Sequence, residues 1–165
     1  MEAYPQSEVN KKRRRVQTIL LSGLLVATLD GSAAVIQTIA YGRNPVGLFN
    51  YIASAIYGQD AFAGGLRYTF YGLLFHYCIT FSWTLFFFWI YPKMKFLSRN
   101  RMLTGIGYGL FIWLIMNRVV VPMSNVSVFP FRIASAIIGA TILIVAIGVP
   151  LSFIAFKFYS SDYKR

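Results

Sequence analysis

Four stretches of this chain are each apolar for at least the roughly 20 residues that a helix needs to cross a bilayer. They run about Val16 to Tyr41, Leu66 to Tyr91, Met102 to Val121 and Phe131 to Phe156. With 165 residues the chain has room for one domain, and 57% of it is hydrophobic against 13% charged. A soluble protein of this size could not hide so much apolar surface, whereas a bilayer accepts helices that are apolar all round. The expected fold class is therefore all-α, an integral membrane four-helix bundle. The first run is longer than a signal-peptide core and lacks a small-x-small cleavage site with a polar flank, so it reads as a retained helix.

Punctuation along the chain refines this. The first span exceeds the length needed to cross, so it should tilt. The second should stop at Pro92 and the third at Pro122, and Pro150 should kink the fourth because it lacks an N–H and clashes with the preceding turn. Between spans one and two, Asn44 followed by Pro45 reads as a helix N-cap with Pro at the first helical position. Val46 to Tyr57 should then be helical, with Gly58 as the C-terminal cap. That run is too short to span, so it should be a short interfacial or re-entrant helix. Residues 1–15 form a polar, basic tail, of which Met1 to Asn10 alone should be disordered. Residues 16–165 form the single transmembrane domain.

The net charge of +11 would suggest nucleic acid in a soluble protein. Here the basic residues flank apolar runs, where they anchor helices to anionic headgroups, so membrane lipids replace nucleic acid as the expected partner. The block Lys11, Lys12, Arg13, Arg14 and Arg15 carries that role most clearly, for lipid or for a partner protein. Lys93, Lys95, Arg99, Arg101, Lys157, Lys164 and Arg165 fall on the same side as this block, and only Arg43, Arg67, Arg118 and Arg132 on the other. Both termini are therefore expected in the cytoplasm.

Few residues could carry chemistry. Asp30 is the only carboxylate inside a span, and an ionisable residue at membrane depth suggests a functional site by default. Gly23, Ala27, Ala34 and Thr38 share its face and permit close helix packing, so Asp30 should point into the bundle. It reads as a proton or cation site, or as a structural carboxylate bonded to a neighbouring helix. His76, the only histidine, shares a stripe with Thr69, Gly72, Thr80 and Trp83. At 1.5 Å per residue both Asp30 and His76 sit roughly 15–16 Å from the same end, so they should meet. The pair would serve as a proton relay or, the plainer reading, as a bond that sets helix register. Asn117 and Arg118 close the third span; Arg118 could snorkel to headgroups, reach inward to Asp30, or bind an anionic lipid or ligand.

Gly105 and Gly109 form a GxxxG, and Ser135 and Gly139 a second small-xxx-small pair, both marking helix contacts within the bundle or between subunits. Span two is crowded with aromatics; Trp89 and Tyr91 fit an interfacial belt, and the others should meet lipid. There is one cysteine, Cys78, and no ligand spacing, so no metal or cofactor is expected, and His76 alone is a poor haem ligand. No nucleophile elbow, phosphate loop or acidic pair is present, and the loops are too short for a soluble-type active site. An enzyme is therefore not expected.

Thr28-Leu29-Asp30, Gly72-Leu73-Leu74-Phe75-His76-Tyr77, Tyr108-Gly109-Leu110, Met116-Asn117 and Val121-Pro122-Met123-Ser124 together resemble a group of small bacterial inner-membrane proteins described as YagU-like. The resemblance covers the chain after Arg15. It implies a bacterial inner-membrane protein with four helices, and it implies no activity. Two functional classes follow. The first, and the one the sequence favours, is an accessory or structural subunit of a larger membrane complex, with other membrane proteins as partners. The second is a small proton- or ion-coupled transporter or channel using Asp30 and His76, which would need a homo-oligomer because four helices enclose little space.

Overall fold

The computed structural model describes residues 6–94, 99–126 and 132–162, and these residues form helices and short connections with no strand among them. In order they are α1 (Gln6–Ala40), α2 (Pro45–Tyr57), α3 (Asp60–Ala63), α4 (Leu66–Ile90), α5 (Arg101–Ile115), α6 (Val121–Met123), α7 (Ile133–Leu143) and α8 (Val149–Asp162). A 3₁₀ turn, Tyr91–Lys93, extends α4. Two π-helical turns, Met116–Val120 and Ile144–Gly148, join α5 to α6 and α7 to α8. The result is four long helices, each long and apolar enough to cross a membrane.

Three of them begin or end elsewhere than the sequence reading placed them. Helix α1 begins at Gln6, inside the stretch expected to be disordered. No Gly or Pro lies between Gln6 and Val16, and Lys, Arg and Gln are good helix formers, so the span propagates backwards through the basic block. Residues 1–5 lie outside the described residues. The third long helix does not stop at Pro122 but passes through it to Met123. The fourth starts at Ile133, two residues later than expected, and runs on to Asp162.

Both π turns have a proline as their cause. Pro122 and Pro150 cannot donate to the helix ladder, and their rings press on the carbonyl four residues back. In each helix the residue before the proline donates one place further back than an α-helix would: Val121 N–H to Met116 O, and Val149 N–H to Ile144 O. The expected kink at Pro150 thus takes the form of a widened turn just upstream, a recognised cause of helix bending.

The long helices alternate in direction. Gly23 and Ala27 of α1 face Phe81 and His76 of α4, and Gly105 and Gly109 of α5 face Val149 and Ile144 of the fourth helix. A methyl group at Gly105 would stand 2.7 Å from the Val149 Cα, and one at Gly109 would stand 2.5 Å from the Ile144 Cα. The GxxxG therefore packs inside the bundle, backbone on backbone, as small residues permit. Gly139 sits against the Trp113 indole, while Ser135, its expected companion, is exposed and makes no such seam.

One end of the bundle is filled by aromatic rings. Phe87 and Phe88 are fully buried and pack with Tyr91, Tyr108, Phe158 and Tyr159. The Tyr108 hydroxyl donates to Trp83 O at 2.5 Å and the Tyr159 hydroxyl to Phe88 O at 2.9 Å. Tyr91, expected at an interfacial belt beside Trp89, is only 4% exposed; Trp89 is 55% exposed, with the Lys93 ammonium 3.4 Å from its ring centre. The aromatics of span two divide between core and surface because the third and fourth helices cover one side of α4 at this end.

At the opposite end α2 packs along α4. Asn44 caps it by accepting from Val46 N–H at 2.9 Å, and Gly58, at φ 59°, closes it. Gly72 of α4 meets the Phe49 carbonyl, leaving no room for a side chain. Thr69 Oγ1 donates to Asn50 Oδ1 at 2.8 Å within this contact, satisfying a buried amide oxygen. Asn125 N–H in turn donates to Ala55 O, tying the connection after α6 to the end of α2.

Candidate functional site

The α1–α4 contact is built on a ridge of small residues, Gly23, Ala27 and Gly31, spaced by four. The His76 ring lies on this ridge. Its Nε2 is 3.0 Å from Ala27 O, and a methyl at Gly31 would come within 3.0 Å of the same nitrogen. A carbonyl only accepts, so Nε2 carries a hydrogen and donates. That assignment leaves Nδ1 to face Asp30, whose Oδ2 is 4.0 Å away.

At 4.0 Å the two groups interact strongly through space but stand just beyond direct hydrogen-bond length. With Nε2–H engaged, a single further proton can reside on either side: as imidazolium facing carboxylate, or as neutral imidazole facing carboxylic acid. Both arrangements are neutral overall, and loss of that proton leaves one negative charge in an apolar bundle. His76 is buried, and the Tyr77 ring stands edge-on to its imidazole.

Asp30 also lines a cavity of about 710 Å³ that penetrates the α2 end of the bundle. Helix α1 contributes Asp30, Ala34 and Gln37, spaced three and four apart and therefore on one face. Helix α2 contributes Tyr51. The third long helix supplies Trp113, Asn117, Arg118 and Pro122, and the fourth supplies Arg132, Ser135, Ala136 and Ile142. Below it lie Ile112, Ile147 and the aromatic core, all buried.

The π turn Met116–Val120 carries Asn117 and Arg118 on the cavity wall. Asn117 Nδ2 donates to Trp113 O at 2.9 Å, so this amide is held against the turn. Burial pushes the Tyr51 phenol up from its ordinary value, which keeps it a neutral hydroxyl at the rim.

Of the residues singled out from sequence, Asp30, His76, Asn117, Arg118, Ser135 and Gly139 gather here, with His76 behind Asp30 rather than on the wall. Gly105 and Gly109 lie apart, in the α5 seam, and Lys11 to Arg15 lie exposed on the first turns of α1. Gln37, Tyr51, Trp113 and Arg132 are additions. Gln37 was legible as a face-mate of Asp30; Arg132, at the start of the fourth span by sequence, was not, because no local pattern ties it to Asp30. Among the described residues no three His, Cys, Asp or Glu side chains come together as a metal site.

No family model, curated protein or solved structure matches this chain. The cavity therefore has to be read on its chemistry: two guanidinium groups, one carboxylate with an imidazole behind it, and a volume in the range of small-molecule pockets, ~300–1,000 Å³.

Proposed function

We propose that this protein is a multi-pass inner-membrane protein, bacterial in origin as its resemblance suggests, with both termini cytoplasmic, and that it is a small proton-coupled transporter. The observation that carries this reading is the cavity that reaches Asp30 from one end of the bundle, with His76 at 4.0 Å behind the carboxylate. Intramembrane ionisable residues are costly and mark ion pathways. A cavity among the helices at the α2 end, with packed aromatics filling the other end of the bundle, suits one access state of a carrier. The two proline-linked π turns lie on the helices that would have to move, because widened turns are weak points in a helix ladder.

Protons move through the Asp30–His76 pair in this account. The charged and titratable groups around it are Arg118 from the third helix, Arg132 from the fourth, Tyr51 from α2 and Tyr77 from α4. The test is proton movement into liposomes containing the purified protein, driven by an imposed pH gradient with a small organic anion supplied outside, and read with an entrapped pH dye. Asp30→Asn and His76→Gln are expected to abolish the movement. Movement at the wild-type rate in both variants refutes the reading.

A second reading, as an accessory subunit of a membrane complex, draws on a different observation: the basic block Lys11 to Arg15 is helical, exposed and continuous with α1. A rigid basic helix suits an acidic partner surface. Co-purification from native membrane tests it. A stoichiometric partner that is lost on deleting Glu2 to Asn10 supports it, and a clean homo-oligomer speaks for the transporter.

A further inference from the structure

The charge on the cavity walls bears on what the cavity takes. Arg118 and Arg132 both line it, and the only acidic side chain in the lining is Asp30. When the Asp30–His76 pair holds its extra proton, the pair is neutral, and the charged side chains left in the described lining are Arg118 and Arg132. Both arginines are exposed at the cavity wall, where two like charges on one cleft repel a cation and draw in an anion. Guanidinium groups suit carboxylate and phosphate in particular, because their planar forks donate two parallel hydrogen bonds. Deeper in, the lining turns apolar: Ala34, Ala136, Ile142 and Leu143.

We propose that the cavity binds a small amphipathic anion, with a carboxylate or phosphate head held by Arg118 and Arg132 and an apolar body directed down towards Ile142. This deepens the transporter reading and rests on it for the coupling. An anion entering beside a bare carboxylate meets a like charge, so the form that binds is the one in which the pair holds its proton. Each anion therefore enters with one proton, and the pair is the group that takes it up. The titratable and charged groups around the pair are Arg118, Arg132 and Tyr51 on the cavity wall and Tyr77 beside the imidazole, and the imidazole itself stands 4.0 Å from the carboxylate.

The experiment is calorimetric titration of the protein in phosphatidylcholine nanodiscs with hexanoate, hexanol and hexyltrimethylammonium. Hexanoate is expected to saturate, with hexanol and the cation at least tenfold weaker. Arg118→Gln and Arg132→Gln should each weaken hexanoate about tenfold, the scale of one charge-assisted hydrogen bond. Arg132→Lys, which keeps the charge, should recover part of the loss and so separates binding from folding. Repeating the titration in buffers of different ionisation heat counts protons; one is expected per hexanoate in wild type and none in Asp30→Asn.

Equal binding of hexanoate and hexanol, or tighter binding of the cation, overturns the anion assignment while leaving proton movement to stand or fall by its own assay. Charge-selective hexanoate binding with no proton taken up supports the anion class and overturns the coupling. Adding phosphatidylglycerol to the nanodiscs distinguishes the source of the head group. Competition with hexanoate assigns a membrane lipid, and its absence assigns a soluble anion; both support the shared chemistry.

Discussion

Gly107 and Gly109 stand one residue apart in α5 and differ only in what they face, which makes them a controlled test of the helix seam. At Gly109 a methyl would lie 2.5 Å from the Ile144 Cα and 2.7 Å from the Ile144 N; at Gly107 it would meet nothing within 4 Å. Carbon atoms pack best at ~3.5–4.0 Å, so Gly109→Ala must push α5 and the fourth helix apart by about 1 Å. The obstructing atoms include backbone on the far side, and no rotamer change can clear those. The same separation loosens Gly105 against Val149, 2.7 Å in the present fit, and Gly148 against the Gly109 N–H side of the seam. Overpacking of this kind costs about 1–3 kcal/mol, and the rigid obstruction points to the upper end. Ala is also the better helix former by about 1 kcal/mol, at both sites equally. Gly109→Ala should therefore lose about 2 kcal/mol, and Gly107→Ala should gain up to about 1 kcal/mol. Reversible unfolding in mixed micelles of rising sodium dodecyl sulfate fraction, followed by helical circular dichroism, measures both. Equal stability of the two variants would refute the argument, because it would mean that the α5 seam does not hold the helices at this distance.

Three further outcomes follow from single contacts. Gly72→Ala should strip α2 from α4, because the new methyl meets the Phe49 carbonyl; faster proteolysis after Tyr57, with the long helices intact, is the readout. Thr69→Val removes the donor to the buried Asn50 amide oxygen and should cost about 1–2 kcal/mol in the same unfolding assay, whereas a neutral result would mean that water replaces it. The tyrosine pair in the aromatic core should split. Tyr108→Phe loses its bond to Trp83 O and should destabilise by about 1 kcal/mol. Tyr91→Phe removes a buried hydroxyl that has no hydrogen-bond partner among the described residues, and it should be neutral or stabilising.

What a local reading captures in this protein is what local physics decides. Long apolar runs make long helices because the backbone has no other way to pair itself. Asn44-Pro45 and Gly58 bound α2 because capping uses side chains and φ angles within two or three residues of the helix end. Matched depth along two helices was also enough to bring Asp30 opposite His76, since helix rise is constant. Local pattern fails where every position is apolar, because hydropathy then cannot tell a core face from an outer one. Phe87, Phe88 and Tyr91 look like the rest of span two, and only the covering third and fourth helices make them core. The GxxxG spacing set Gly105 and Gly109 apart from Gly107, but only the structure shows that their partner is the fourth helix of the same bundle and not another subunit. Arg132 joins Asp30 in one cavity although roughly a hundred residues separate them, and no local pattern connects the two. The sequence by itself determined that four long apolar helices form and where α2 is capped. The tertiary structure alone decided which faces meet and that a charged cavity opens among them, because those depend on contacts between segments that share no local signal.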